Sequence, residues 1–330
     1  MYVTQKGWQF WIDSAYKMLR PRTYLMMLLF VAIGDTLGKN QNYYDPKLLL
    51  VAVLVGLLYI FGTSINDISD FEIDKINLKN NKQRLLVQKS ASKKDLYIIL
   101  MFCAVVCLVI GLFLGKFHFY LVIASLLAFY FYSMPPIRIS YRGILAPLLL
   151  SFGYVVIPFS LAYFIHQNNL SDTAKIIIVS MYVSFIGRII LKDYRDVKGD
   201  KKFGKRTFLV RHGKLTTNLV ASSAWLIGNF LISIYYFEQN VLVVILVQPF
   251  IFAILWCLYW LSYENSLSRQ ITYVSAVGRF GNGIALLLLT ELSMTFIDYS
   301  NTIKNLLLVS VGIFSFYIGY EIYKLLESTK

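Results

Sequence analysis

Two aspartate-rich stretches each begin where a long apolar run ends. The first carries Asn66, Asp67, Asp70 and Asp74, and the second carries Asp193, Asp196 and Asp200. Asn66, Asp70 and Asp74 recur at i, i+4, i+8, and the later aspartates at i, i+3, i+7. On a helix each set projects from one face. Like charges stacked this way repel, so an ordinary helix would not collect them. A hard divalent cation such as Mg2+, shared among a few carboxylates and completed by phosphate oxygens, supplies the reason.

Cations stand around these motifs. Arg20, Arg188 and Lys192 fall near the ends of apolar runs on the same side. Arg188 lies well inside its run, where an arginine requires an anion. Two partners stay open for it, a structural ion pair with Asp193 or Asp196 and a ligand phosphate. Carboxylates, Mg2+ and guanidinium groups together are what a diphosphate site needs. A third segment on this side runs from Tyr132 and Ser133 through Pro135 and Pro136 to Arg138. The tandem prolines stop the helix. Tyr132 is thereby left at a cavity rim facing a reacting carbon, and Arg138 facing a phosphate or an acceptor. His118, His166 and His212 show no metal-ligand spacing, and Cys103 and Cys107 read as packing residues.

The elements that must hold these groups are membrane helices. Hydrophobic residues make up 57% of the chain and charged residues only 15%, with a mean hydropathy of +0.60. That excludes a soluble globular domain. Apolar runs at 22–38, 47–65, 95–115, 117–134, 143–165, 173–191, 216–237, 241–261 and 276–297 are long enough to span a bilayer. Another, at 303–324, is a candidate tenth. Lipid cannot satisfy free backbone groups, so these runs must be helices. The fold class is all-α, a polytopic bundle. Residues 1–20 are amphipathic, lack the continuous apolar core of a removable signal, and read as an interfacial helix. No linker divides residues 1–330, which read as a single intramembrane domain with motif loops at 66–95 and 192–214.

The net charge of +14 invites a nucleic-acid reading, but its distribution does not. With the N-terminus taken as cytoplasmic, alternate loops hold 25 Lys and Arg against 5 in the opposite loops. The remaining two, Arg188 and Arg279, lie within spans. This bias places both aspartate motifs on the cytoplasmic side and leaves nucleic acid without a role.

The three motifs together resemble the signatures of the UbiA superfamily of intramembrane prenyltransferases, nearest its aromatic-prenylating and chlorophyll synthase-like branches. Asn66 through Asp74 resemble the first signature and Tyr132 to Arg138 the motif after the fourth span. Arg188, Lys192, Asp193, Asp196 and Asp200, followed by Phe203-Gly204-Lys205 and Thr207, resemble the second signature. The resemblance implies a nine-helix bundle around a central cavity, open to the cytoplasmic side and laterally to lipid. Two Mg2+ ions would bridge Asn66, Asp67, Asp70 and Asp74 on one side, and Asp193, Asp196 and Asp200 on the other, to a polyprenyl diphosphate. Arg20, Lys192 and Tyr132 match pocket positions. The chain departs from the family after Asn77, where the usual Arg-Pro or Lys-Pro pair is missing, and either Lys82 or Arg84 takes the cationic role. The candidate tenth span is a second departure.

The implied reaction is Mg2+-dependent transfer of the prenyl group to a lipophilic acceptor, with diphosphate released. Asp70, Asp74, Asp196, Asp200, Lys192 and Tyr132 carry the chemistry. Asn66, Arg20, Lys82 or Arg84, Ser133, Arg138 and Arg188 bind substrate. An aromatic quinone precursor is the favoured acceptor. Glycerol-ether, haem or sugar-phosphate acceptors, or cyclisation of the prenyl chain, are alternatives. A cation-coupled transporter is the alternative from another class, but it would place its carboxylates nearer the bilayer midplane.

Overall fold

The computed structural model describes residues 7–39, 45–296 and 300–326. Its helices are α1 (Trp8–Leu19), α2 (Pro21–Gly38), α3 (Lys47–Ser69), α4 (Phe71–Asn77), α5 (Lys93–Leu114), α6 (Lys116–Ser133), α7 (Leu145–Ser151), α8 (Ile157–Tyr163), α9 (Asp172–Ile189), α10 (Val197–Lys202), α11 (Phe208–Gln239), α12 (Val241–Tyr263), α13 (Leu267–Met294) and α14 (Asn301–Lys324). A π-helical turn over Phe152–Val156 joins α7 to α8 as one span, and a 3-10 stretch over Ile190–Arg195 joins α9 to α10. Among the described residues, nine helices are long and apolar enough to cross a membrane.

The nine differ from the expected set by one exchange. The run at 303–324 is one of them, inside α14. The run at 22–38 forms α2, but Arg22 and Asp35 dilute its hydropathy and it is not among the nine. It packs against α8, α13 and α3. Its approach to α8 is possible because residue 34 is glycine: a Cβ there would sit 2.3 Å from the Phe159 carbonyl oxygen. Small residues at a crossing let membrane helices pack at backbone distance.

Helix starts follow local capping rules. Ser92 and Asp95 form a reciprocal capping box at α5, with the Ser92 N–H donating to Asp95 at 2.7 Å. Ser171 caps α9 and Thr207 caps α11. Each satisfies backbone donors that an apolar run leaves free at its first turn. Bulky side chains stay exposed on outward faces, for example Phe102 and Phe113 on α5, Phe230 and Phe237 on α11, and Phe314 on α14. Such a surface suits hydrocarbon. The main core runs through α2, α3, α8, α9, α11, α12 and α13. On α1, Trp8, Ile12 and Tyr16 are exposed while Ser14 and Met18 are buried, the two-sided pattern of an interfacial segment. The first six residues of the expected 1–20 helix lie outside the described residues.

Candidate active site

The first aspartate motif straddles a break between two helices. α3 ends at Ser69, Asp70 leaves the helical region (φ −99°, ψ 13°), and α4 restarts at Phe71. Asp70 accepts from Lys205 Nζ at 2.7 Å and from Asn66 Nδ2 at 3.2 Å, and its carboxylate lies 3.5 Å from Arg138. Asp67 turns the other way and is claimed by two cations, Arg20 Nη2 at 2.9 Å and Arg84. Arg84 also reaches Asp74 at 3.0 Å. The loop after α4, without the expected proline, folds back to bury Arg84 between two carboxylates and leaves Lys82 exposed.

The second motif is presented by the 3-10 stretch and α10. Three residues per turn instead of 3.6 re-phases the side chains there, so Arg188, Lys192, Asp193, Asp196 and Asp200 all line one cavity. Asp196 is clamped by Arg195 at 3.0 and 3.4 Å. Lys192 Nζ donates to the Tyr132 hydroxyl at 2.7 Å. Neither oxygen of Asp200 finds a hydrogen-bond donor among the described residues, although the side chain is buried. Its nearest cation, Lys205, stands 3.9 Å away.

Asn77 ties the two motifs together. Its Nδ2 donates to the Asp196 carbonyl at 2.7 Å, and its Oδ1 accepts from the Gly199 N–H at 2.7 Å. Residue 199 must be small, because a Cβ there would sit 2.7 Å from the Asn77 amide nitrogen.

Electrostatics separates the carboxylates. Burial alone would raise Asp70, but Lys205, Ser69 and Arg138 hold it below the ordinary carboxylate range. Burial pushes Asp74 up to about 7, and the repulsion of Asp67, Asp70 and Asp196 outlasts the help of Arg84. Asp200 is likewise pushed up to about 7 by burial and by Asp193, Asp196 and Asp70, in spite of Lys205. Lys205 is moved further above its usual range by Asp70 and Asp200, against the cost of burial.

These residues line a cavity of about 920 Å³, within the range of small-molecule sites. Arg20, Asn66, Asp70, Asp74, Arg84, Tyr132 and Arg188 line it with Lys192 and the three later aspartates. The lining also carries a run of aromatic rings: Tyr59 and Tyr154 have ring centroids 5.8 Å apart, and Tyr154 and Phe185 5.7 Å. Four expectations need correction. Asp67 is not at the cavity surface; it is the counter-ion that fixes Arg20 and Arg84. Lys82 does not line the cavity, whereas Arg84 does. Ser133 is buried away from the lining, and its carbonyl oxygen accepts from the Ser69 hydroxyl at 3.0 Å. Arg138 stacks on Tyr141, 4.1 Å from the ring centroid, and braces Ser69 and Asp70 from behind.

The site also holds residues that the spacing argument did not single out. Lys205 was visible only as part of a motif, and its pairing with Asp70 spans 135 residues of chain. Asn77, Arg195, Arg279 and Asn282 also line the cavity. The donor set suits a hard cation: Asp200 offers two buried oxygens without donors, and Asp74 Oδ2 likewise receives no hydrogen bond. Among the described residues, no group of three carboxylates, histidines or cysteines converges to chelate an ion unaided. A bound Mg2+ would therefore take the rest of its shell from substrate and water.

Known proteins agree with this geometry. Digeranylgeranylglyceryl phosphate synthase of Korarchaeum cryptofilum is 29% identical over 61% of this chain and 68% of its own length. The chloroplastic 2-acyl-4-prenylphloroglucinol 6-prenyltransferase of Humulus lupulus is 28% identical over 65% of this chain and 55% of its own. A UbiA homologue from Archaeoglobus fulgidus, solved bound to DMAPP and Mg2+, shares the fold with a TM-score of 0.59. It is 14% identical, and the match covers 94% of this chain and 98% of that one. The UbiA prenyltransferase family matches residues 27–280. The chain belongs to the UbiA prenyltransferase family and is a multi-pass membrane enzyme of prenyl transfer.

Proposed function

We propose that the chain binds a polyprenyl diphosphate between its two aspartate motifs, with two Mg2+ ions, and transfers the prenyl group to a lipophilic acceptor. The observation that carries this reading is Asp200, a buried carboxylate with two unclaimed oxygens, 3.9 Å from Lys205 in a cavity that Lys192 and several aromatic rings also line. The positive-inside bias argues that the aspartate motifs face the cytoplasm. The Archaeoglobus homologue, named for its bound DMAPP and Mg2+, supports both ligand classes.

When bound, Mg2+ would neutralise charge on the leaving diphosphate. Asn66, Asp70, Asp74, Asp193, Asp196 and Asp200 would supply its protein ligands. Lys192, Arg20, Arg84 and Arg195 add cationic stabilisation where charge develops. The bond between the allylic carbon and the diphosphate oxygen breaks, and its electron pair leaves with the diphosphate. Tyr59, Tyr154 and Phe185 present π faces to the allylic cation and keep water away. A nucleophilic atom of the acceptor then bonds to that carbon and gives up its proton. Tyr132, held by Lys192, stands at this boundary.

The relatives do not bear out the quinone-precursor acceptor that the motif resemblance implied. The hop relative is named for an aromatic acceptor, whereas the Korarchaeum relative is named for a glyceryl phosphate. The test is direct. Purified protein in lipid nanodiscs, given geranylgeranyl diphosphate, Mg2+ and either acceptor class, should form a prenylated product detectable by mass. A product formed equally well in EDTA, or none with any allylic diphosphate and acceptor, would refute the reading.

A further inference from the structure

Deeper along α9 than the aspartates, the cavity carries a second polar group that the diphosphate does not require. Arg188 precedes Lys192 by four residues and so lies about one turn further from the motif. Its Nη1 donates to Asn282 Oδ1 at 2.5 Å, and its guanidinium lies 5.3 Å from the Phe185 ring centroid. Arg279 follows Gly278, the residue set against the Arg188 guanidinium, and lines the same cavity. Arg279 sits twelve residues into α13, roughly 18 Å along that span at 1.5 Å per residue. Ser275, Gly278, Arg279 and Asn282 follow one another at helical spacing and all line the cavity. Among the described residues neither Arg188 nor Arg279 pairs with a carboxylate. The ion pair with Asp193 or Asp196 that the sequence left open does not form.

Two arginines that line one cavity from neighbouring membrane spans, with no carboxylate among the described residues paired to either, repel. Such an arrangement is retained for an anion. The diphosphate end already has Lys192, Lys205, Arg20, Arg84 and Arg195. The α13 residues belong to neither aspartate motif and pack from a separate helix. Gly278 leaves Arg188 room: a Cβ there would lie 3.3 Å from its guanidinium.

Resting on the prenyl-transfer reading above, we propose that Arg188, Arg279 and Asn282 form an oxyanion subsite for the acceptor. It would hold a carboxylate or phosphate on the acceptor while the nucleophilic atom faces the allylic carbon. The planar guanidinium forks suit either oxyanion. The subsite therefore selects acceptors by headgroup charge, a property that aromatic carboxylates and alkylglycerol phosphates share.

The test uses the full chain in nanodiscs with Mg2+ and geranylgeranyl diphosphate, and two acceptor pairs. One pair is a phenolic carboxylate and its methyl ester; the other is an alkylglycerol phosphate and the uncharged alkylglycerol. Wild type should prefer the anionic member of at least one pair by about ten- to hundred-fold in kcat/KM, the scale of a charged hydrogen bond. Which pair shows the preference tells carboxylate from phosphate. Arg279→Gln and Arg188→Gln should erase most of that preference through KM, while Arg279→Lys keeps part of it. Asn282→Leu, should an arginine variant fail to fold, should weaken it in the same sense. In parallel, each anion should raise the melting temperature of wild type more than its neutral counterpart, and less so in Arg279→Gln. No charge preference in either transfer or thermal shift, or a preference that survives Arg279→Gln and Arg188→Gln, overturns the subsite. Absence of Mg2+-dependent diphosphate release would instead overturn the prenyl-transfer reading, and the thermal shifts would still decide anion binding.

Discussion

The two aspartate motifs look alike in sequence, yet their carboxylates are paired with cations to different extents. In the first, nearly every carboxylate meets a cation: Asp67 meets Arg20 and Arg84, Asp70 meets Lys205 and Arg138, and Asp74 meets Arg84. In the second, Asp196 has Arg195, while the Asp200 side chain accepts no hydrogen bond among the described residues and its nearest cation, Lys205, stands 3.9 Å away. Part of the first motif is thus a framework that holds the neighbouring cations in place. The second keeps ligating capacity in reserve. A pair of motifs matched in composition can divide the work of positioning and of binding between them.

The contrast breaks most completely at Asp200. Asp200→Asn should lower prenyl transfer by about 10²–10³-fold, the scale on which one preorganised electrostatic contact acts. The same variant should not lower the melting temperature in metal-free buffer, because it removes an uncompensated buried acid. Activity assays with matched thermal unfolding check both halves.

Arg84→Met should do the reverse. It leaves Asp74 without a counter-ion and Asp67 with Arg20 alone, and should cost about 3–5 kcal/mol of stability, visible as a large fall in melting temperature. Adding Asp67→Leu should recover part of it.

A smaller effect follows from pH. Asp74 and Asp200 are both raised to about 7 from an ordinary value of 3.8. An acid raised in the folded state stabilises that state when protonated. In EDTA, stability should therefore fall as pH rises through the interval from about 4 to 7. Mg2+ displaces those protons, so its half-saturating concentration should drop severalfold between pH 6 and pH 8. Asp200→Asn should flatten that dependence. The smallest expected effect is at Lys82, which is exposed: Lys82→Ala should change neither stability nor transfer beyond error.

Much of the architecture was legible in hydropathy, because lipid leaves apolar runs of this length no structure except helix. By span-length hydropathy the least apolar of these helices is α2, which carries Arg22 and Asp35 and packs against α8, α13 and α3. Within the site, period-3.6 reasoning placed Asn66, Asp70 and Asp74 on one line. It could not show that Asp67 turns toward Arg20, since that pairing depends on where α1 ends. Nor could spacing choose between Lys82 and Arg84, which lie in a loop with no periodicity to orient them. Arg279 was visible as a charge inside a span and counted only toward topology. Its partner Arg188 lies 91 residues earlier in the chain, a separation that no local pattern bridges. Lys205 escaped a role for the same reason.

The most direct measurement is diphosphate release from geranylgeranyl diphosphate by purified protein in nanodiscs, followed over time with Mg2+ or with EDTA. Wild type should release diphosphate only with Mg2+, and the Asp196→Asn/Asp200→Asn variant should fall to the EDTA level while keeping the wild-type melting temperature. Release that persists in EDTA, or that survives the double substitution, would contradict the assignment of metal-assisted diphosphate chemistry to the second motif.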